Sequence, residues 1–288
     1  MLIDHRFPAT ALDLCLSSGA VCATTLDPVV EPLPQQSPID IITRDAVRAD
    51  LPDLIFNYSE TARLSIVDTR PAFDDDEDAT VRADICPVCG LVHGPGGVDV
   101  PSNLTIGGVS YNLLQFHLHA PAEHEIDGDQ ADMELHLVHQ AVGGALAVVG
   151  IIINIGEEND ALAPYFDALS GLAGGVVEVL DFDLTGLIPG DLSSYRYSGS
   201  LTAPTVGDQE AELFPEPVAW NVLAQQMEVS EEQYKLFREL FEEGNSREVQ
   251  PLNGRTVFYD VAPVPLPASG VLFLFALGGL AALRRRAA

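Results

Sequence analysis

Gln115-Phe116-His117-Leu118-His119 and, after fourteen intervening residues, Glu134-Leu135-His136-Leu137-Val138-His139 are the two stretches from which the fold is read. In an extended strand successive side chains face opposite ways. Gln115, His117 and His119 therefore share one face of a first strand, and Glu134 and His136 share one face of a second. The connection is long enough to return the second strand as an antiparallel neighbour. Three imidazoles, His117, His119 and His136, then converge on one tetrahedral zinc ion and leave a fourth position for water. Gln115 and Glu134 are placed to accept one ring N–H each, which fixes the tautomer of a ligand ring and raises its basicity. A His-x-His pair alone is a weak signal; the matched polar partners on the same faces make this one specific. His124 and His139 read as structural.

Outward from these strings the pattern is mainly β with short helices, an α+β arrangement in a single domain. Gly144 to Ile155 is an apolar run rich in Val and Ile, the mark of a central strand covered on both faces. Asn159 to Leu172 and Ser230 to Glu242 read as helices. The second opens with Ser230 and Gln233 in capping-box spacing and carries Leu236, Phe237, Leu240 and Phe241 on one face. Pro-rich segments, Glu31 to Pro34 and Pro263 to Pro267, border one folded region, taken as 32–262.

Within it, residues 69–101 look inserted. They hold the acidic run Asp74 to Asp78, read as a solvated loop, and Cys86-Pro87-Val88-Cys89 with His93. Cys-x-x-Cys followed by His is half of a zinc-finger-like set; a local disulfide, or bridges to Cys15 and Cys22, is the competing expectation. Apolar residues make up 47% and charged residues 20% of the chain, enough for a sizeable core. The formal net charge of −29, with 14 Lys plus Arg, excludes nucleic acid as a partner, because phosphate binding needs clustered cations.

The ends read as targeting. Residues 1–31 carry Arg6 and a semi-apolar stretch ending in Ala-Val-Cys-Ala, an export leader interrupted by Asp13. Residues 263–288 run from Val-Pro-Leu-Pro-Ala through an apolar stretch, Gly270 to Leu283, to three arginines. That stretch is short for a comfortable bilayer span. Its layout resembles the VPLPA/PEP-CTERM sorting signals, which implies an exosortase-like processing partner and an exported domain, periplasmic or at the cell surface, anchored at least transiently in a membrane.

Several strings together resemble the α-class carbonic anhydrases of bacteria. Gln36-Ser37-Pro38-Ile39-Asp40 is similar to the family's QSPIDI, Gln115 to His119 with Glu123-His124 to its QFHxH…SEH, and Glu134 to His139 to its ELHLVH. Gly186 to Pro189, Tyr197 to Thr202 and Trp220 match further family positions. The resemblance implies a large twisted, mostly antiparallel sheet with zinc at the bottom of a conical cleft, and reversible hydration of carbon dioxide to bicarbonate by a zinc-activated water. It implies that Thr202 and Glu123 orient that water, and that Val138, Val148, Leu201 and Trp220 line the substrate pocket.

The chain departs from the family where a proton-shuttling His is expected. Ile66 to Arg70 carries none, and His93 is the nearby candidate. Ala203 and Thr205 replace family residues after Thr202, and Gly207 to Pro217 is extra loop. Two other functions remain compatible with the same residues: a non-catalytic surface-binding relative, and a zinc esterase. Oligomeric state is not legible.

Overall fold

The structure, a computed structural model, describes residues 34–70, 79–86, 91–93, 99–172, 175–203 and 217–260. The expected leader and tail, the acidic run, and Cys15, Cys22 and Cys89 lie outside these residues.

Twelve strands form one twisted, mixed sheet. They are β1 (Val47–Arg48), β2 (Leu54–Asn57), β3 (Ala62–Asp68), β4 (Val81–Ile85), β5 (Asn103–Ile106) and β6 (Val109–His119). Then follow β7 (Met133–Ala141), β8 (Leu146–Ile155), β9 (Val176–Phe182), β10 (Ser194–Gly199), β11 (Val218–Val229) and β12 (Phe258–Asp260). The order across the sheet is β9-β3-β4-β6-β7-β8-β11-β10-β12-β1, with β5 joining β6 to β2. All pairings are antiparallel except β8 with β11 and β12 with β1.

Alternation along the central strands builds two cores. Phe116 and Leu118 of β6, Leu135 and Leu137 of β7, and Val149 and Ile151 of β8 face one way. They pack under Tyr165 and Phe166 of α1 (Ala163–Leu169) and under Phe237 of α2 (Glu231–Arg238) with Phe241. Val138, Val148, Trp220 and Val222 face the other way with Ile39 and Ile41. Ala147 to Ile153 is buried on both faces, as its unbroken apolar run anticipated. Helix α2 has the expected capping box: Ser230 Oγ accepts from Gln233 N at 3.2 Å, and Gln233 Oε1 accepts from Ser230 N at 3.0 Å. Helix α1 is shorter than the expected Asn159 to Leu172, because Asn159 Oδ1 takes the Leu162 N–H (3.1 Å) in a turn and Pro164 starts the helix proper.

Residues 69–101 are not wholly an insertion. Their middle is β4, which lies between β3 and β6 with Val81, Ala83 and Ile85 in the core. The alternation Val-Arg-Ala-Asp-Ile is itself a strand signal, masked by the acidic and Cys-rich sequence around it. Val92–His93 and Asp99–Val100 pair in a separate ribbon. Cys86 is disulfide-bonded, which removes it from any metal-ligand set; its partner lies outside the described residues.

The far edge of the sheet is held by charge. Arg196 of β10 donates from Nη2 to Asp260 Oδ2 (2.7 Å), from Nε to Ser194 Oγ (2.9 Å) and from Nη1 to the Pro52 carbonyl (2.6 Å). Both partners are buried, so removing one strands the other's charge away from water. Asp260→Ala is expected to lower unfolding free energy by about 3–5 kcal/mol in urea titrations, and a loss below about 1 kcal/mol would show that Arg196 finds solvent instead.

Candidate metal centre

Strand register assembles the three histidines. On β6 and β7, His117 lies directly opposite His136, and His119 opposite Glu134. Ring centroids are 5.2 Å apart for His117 and His136, 4.9 Å for His117 and His119, and 4.7 Å for His119 and His136. Two of the rings have one nitrogen hydrogen-bonded, and the third has one nitrogen against a carboxylate. His117 Nδ1 donates to Gln115 Oε1 at 2.8 Å, and His119 Nδ1 donates to the Asn245 carbonyl at 2.7 Å. His136 Nε2 lies 3.0 Å from Glu134 Oε1, off the line of a well-aligned hydrogen bond. The remaining nitrogens are His117 Nε2, His119 Nε2 and His136 Nδ1. The three residues bring one ligand atom each within 4.8 Å of one another. His119 Nε2 is buried without a hydrogen-bond partner, a cost that a metal ion would relieve.

Electrostatics keep these rings neutral. Burial, then the neighbouring His119 and His136, hold His117 well below the usual imidazole range. Burial lowers His119 to about 4, against the opposing Asn245 carbonyl bond, and lowers His136 against the pull of Glu134. A neutral ring offers the lone pair that a metal requires.

Behind the rings, Glu134 is a buried hub. Its Oε2 accepts from the backbone N–H of Glu123 (3.0 Å) and His124 (2.8 Å), and its Oε1 meets His124 Nδ1 at 2.8 Å. Burial acts to raise this carboxyl, but the His124 and His136 rings outweigh it and hold it well below the usual carboxylate range. Gly150 of β8, opposite His136, leaves room for it: a Cβ there would sit 2.6 Å from Glu134 Oε1. His124, Glu134 and His136 also cluster like ligands, yet His124 Nε2 is bound to the Tyr197 hydroxyl at 2.7 Å, so the trio is a hydrogen-bond network. His139 pairs with the Tyr58 hydroxyl at 2.6 Å. Both histidines read as structural do have structural partners.

Glu123 sits beside the centre, fully buried, with Oε2 3.8 Å from His136 Nδ1. Its Oε1 accepts from Arg247 N at 3.0 Å, its Oε2 is buried without a hydrogen-bond partner, and the nearby Thr202 side chain favours its charged form. Burial pushes its carboxyl up to about 7, against the nearby His136 ring, the Arg247 N–H and the Thr202 side chain. Val138, Val148 and Trp220 stand side by side on β7, β8 and β11, and half-buried Leu201 packs on the same cluster. Trp220 Nε1 donates to the Ser200 carbonyl at 2.8 Å, and its ring meets His136 at 4.9 Å. His93 lies in the separate ribbon, and its side chain is outside what is described.

Sequence reading missed Asn245. Its carbonyl holds His119, its Oδ1 accepts from Ala120 N (2.9 Å), and its Nδ2 reaches the carbonyls of Ala79 (3.3 Å) and Leu118 (3.1 Å). It lies in coil beyond α2, where no periodicity marks it. Arg247 was missed for the same reason, and the Ser37–Tyr197 bond (2.9 Å) because its partners lie far apart in the chain.

A profile of the family described as eukaryotic-type carbonic anhydrase matches residues 32–261. The chain is 39% identical over 149 residues to a carbonic anhydrase of Nostoc sp., covering 51% of this chain and 53% of that protein. It is 37% identical over 155 residues to a carbonic anhydrase of Klebsiella pneumoniae, covering 54% of this chain and 60% of that protein. The matched region thus spans less than two thirds of the length of these curated relatives. In structure the chain is similar to the α-carbonic anhydrase of Thermovibrio ammonificans solved with sulfanilamide, with a TM-score of 0.63, 30% identity, and 78% and 86% of the two chains covered.

Proposed function

Because this chain belongs to the eukaryotic-type carbonic anhydrase family, we propose that it catalyses the reversible hydration of carbon dioxide to bicarbonate and a proton, with zinc as its metal. The observation that carries this reading is the set of three converging imidazoles, His117 and His119 each hydrogen-bonded through Nδ1 and His136 lying against Glu134, with His119 Nε2 and His136 Nε2 buried and without a hydrogen-bond partner. Such an all-nitrogen trio suits four-coordinate zinc with one open position. When bound there, zinc acts as a Lewis acid that lets a water ionise near neutral pH, as it does in carbonic anhydrases generally.

The protein's own groups do the rest. Gln115, the Asn245 carbonyl and Glu134 fix the ligand rings in orientation and tautomer. Thr202 donates its hydroxyl proton to the Glu123 carboxylate, so the threonine oxygen is left as an acceptor towards the site. It can then hold only a nucleophile that donates a proton, and it turns that nucleophile's lone pair towards the substrate. Val138, Val148, Leu201 and Trp220 offer apolar surface where carbon dioxide can rest beside the nucleophile.

A hydration assay on the zinc-loaded full chain tests this. Hydration well above the buffer rate, abolished by chelation and restored by zinc, is expected. Stoichiometric zinc without acceleration would overturn the proposal.

Proton export should limit turnover. All five histidines with described side chains are committed, three as proposed ligands and His124 and His139 to structural hydrogen bonds. An efficient relay needs a group titrating near ambient pH. Imidazole buffer is therefore expected to raise kcat several-fold while leaving kcat/KM for hydration unchanged, and His93→Ala should enlarge that response if His93 is the relay. A kcat already high in weak buffer and indifferent to both changes would show that another group carries the proton.

A further inference from the structure

Strand β4 brings charge to the metal-site face. Arg82 lies directly opposite His117 on β6, and Asp84 directly opposite Gln115. Residues that face each other across paired strands project to the same side, so both side chains stand on the wall beside the ligand trio. The guanidinium is held by Asp84 alone among the described residues. Its Nε donates to Oδ1 at 2.5 Å and its Nη2 to Oδ2 at 3.0 Å, which leaves Nη1 uncommitted. The two side chains are 38% and 37% exposed, so the pair borders solvent rather than core.

This placement matters in a chain of net charge −29. The field of such a protein repels anions, and bicarbonate, the product and the substrate of the reverse reaction, is an anion. A guanidinium presents coplanar N–H groups that match a planar oxyanion better than an ammonium does. On the footing of the function proposed above, we propose that Arg82 is an anion-recognition residue beside the candidate metal centre. It draws bicarbonate and competing inorganic anions to the space beside His117, and Asp84 sets its strength by holding one edge of the guanidinium. Arg82 acts here on anion affinity and specificity, with no part in bond making.

The two residues should then act with opposite sign. Cobalt replaces zinc in nitrogen-ligand sites and gives a visible spectrum that reports anion binding without turnover. Full-length cobalt-substituted protein would be titrated with thiocyanate and with bicarbonate. Arg82→Gln is expected to weaken both anions about fivefold, the size of a partly screened charge interaction. Asp84→Asn should tighten them by a similar factor, Arg82→Lys should recover part of the loss, and the double variant should match Arg82→Gln. Affinities unchanged in both single variants would overturn the proposal, as would weakening that tracks loss of bound cobalt, which would mean that β4 merely supports the ligands. A protein that takes up no cobalt would overturn both this proposal and the metal assignment. Wild-type protein that shows this pattern yet does not hydrate carbon dioxide would defeat the functional reading and leave the anion site standing.

Discussion

His136→Ala is expected to strip most of the metal and to lower carbon dioxide hydration by at least about 10³-fold, since a catalytic metal contributes several kcal/mol to its reaction. His136 is the middle of the trio. It faces His117 across the β6–β7 ladder, its ring lies within 4.7 Å of His119, and its Nδ1 lies 3.8 Å from Glu123 Oε2. Its removal leaves two imidazoles of the trio on β6 and none on β7, where His139 is tied to Tyr58, so the remaining donors cannot enclose an ion. The fold should survive, because Glu134 keeps the two backbone N–H groups and the His124 ring that already satisfy it. Metal content, circular dichroism and the hydration rate, measured on one preparation, separate these effects. His139→Ala is the control: it breaks the buried bond to Tyr58 and should cost stability while metal stays bound. Full zinc and undiminished activity in His136→Ala would sink the ligand assignment, whatever the control shows.

The convergence of the three histidines was legible in the sequence because a strand imposes a period of two, and polar residues inside an apolar run stand out against it. The brace for His117 and the placing of Glu134 beside His136 were legible for the same reason, since Gln115 and Glu134 sit two residues away on the same faces. The brace for His119 was not. It comes from Asn245, 126 residues distant, through a backbone carbonyl that any residue type could supply. Chain reversals bring such groups together, and no local pattern records them. β4 was hidden differently. Its five-residue alternation is clear alone, but the acidic run before it and the cysteines after it drew the whole stretch into one loop, and with it went Arg82 and Asp84. The dual role of Glu134, which serves His124 as well as His136, was invisible because both histidines look equally plausible as its partner until the turn at residues 120–124 is folded.

Thr202→Ala and Glu123→Gln are each expected to lower kcat/KM for hydration by about 10²-fold with metal retained, the scale on which one aimed hydrogen bond at a reaction centre contributes. The two should be strongly non-additive, because they form a single device. Glu123 is fully buried, with Arg247 N on one oxygen and the other without a hydrogen-bond partner, so in the proposed relay its carboxylate accepts and the nearby Thr202 donates. Without that acceptor the threonine hydroxyl is free to turn its proton towards the nucleophile, and its directing lone pair is lost. Once either member is gone, the other has nothing left to orient. The double variant should therefore be little worse than the poorer single one, a coupling of about 2–3 kcal/mol in a double-mutant cycle. Thr202→Ser, which keeps the hydroxyl, should retain most activity. The geometry also sets a direction in pH. Burial raises the Glu123 carboxyl to about 7 in the metal-free site, and a bound cation beside it would lower that value. Thr202→Ala removes a bond that favours the charged carboxylate, so the Glu123 pKa should rise and metal binding should weaken on the acid side first. If the two losses simply add, and the acid side of metal binding does not move, Thr202 and Glu123 act independently and the relay is wrong.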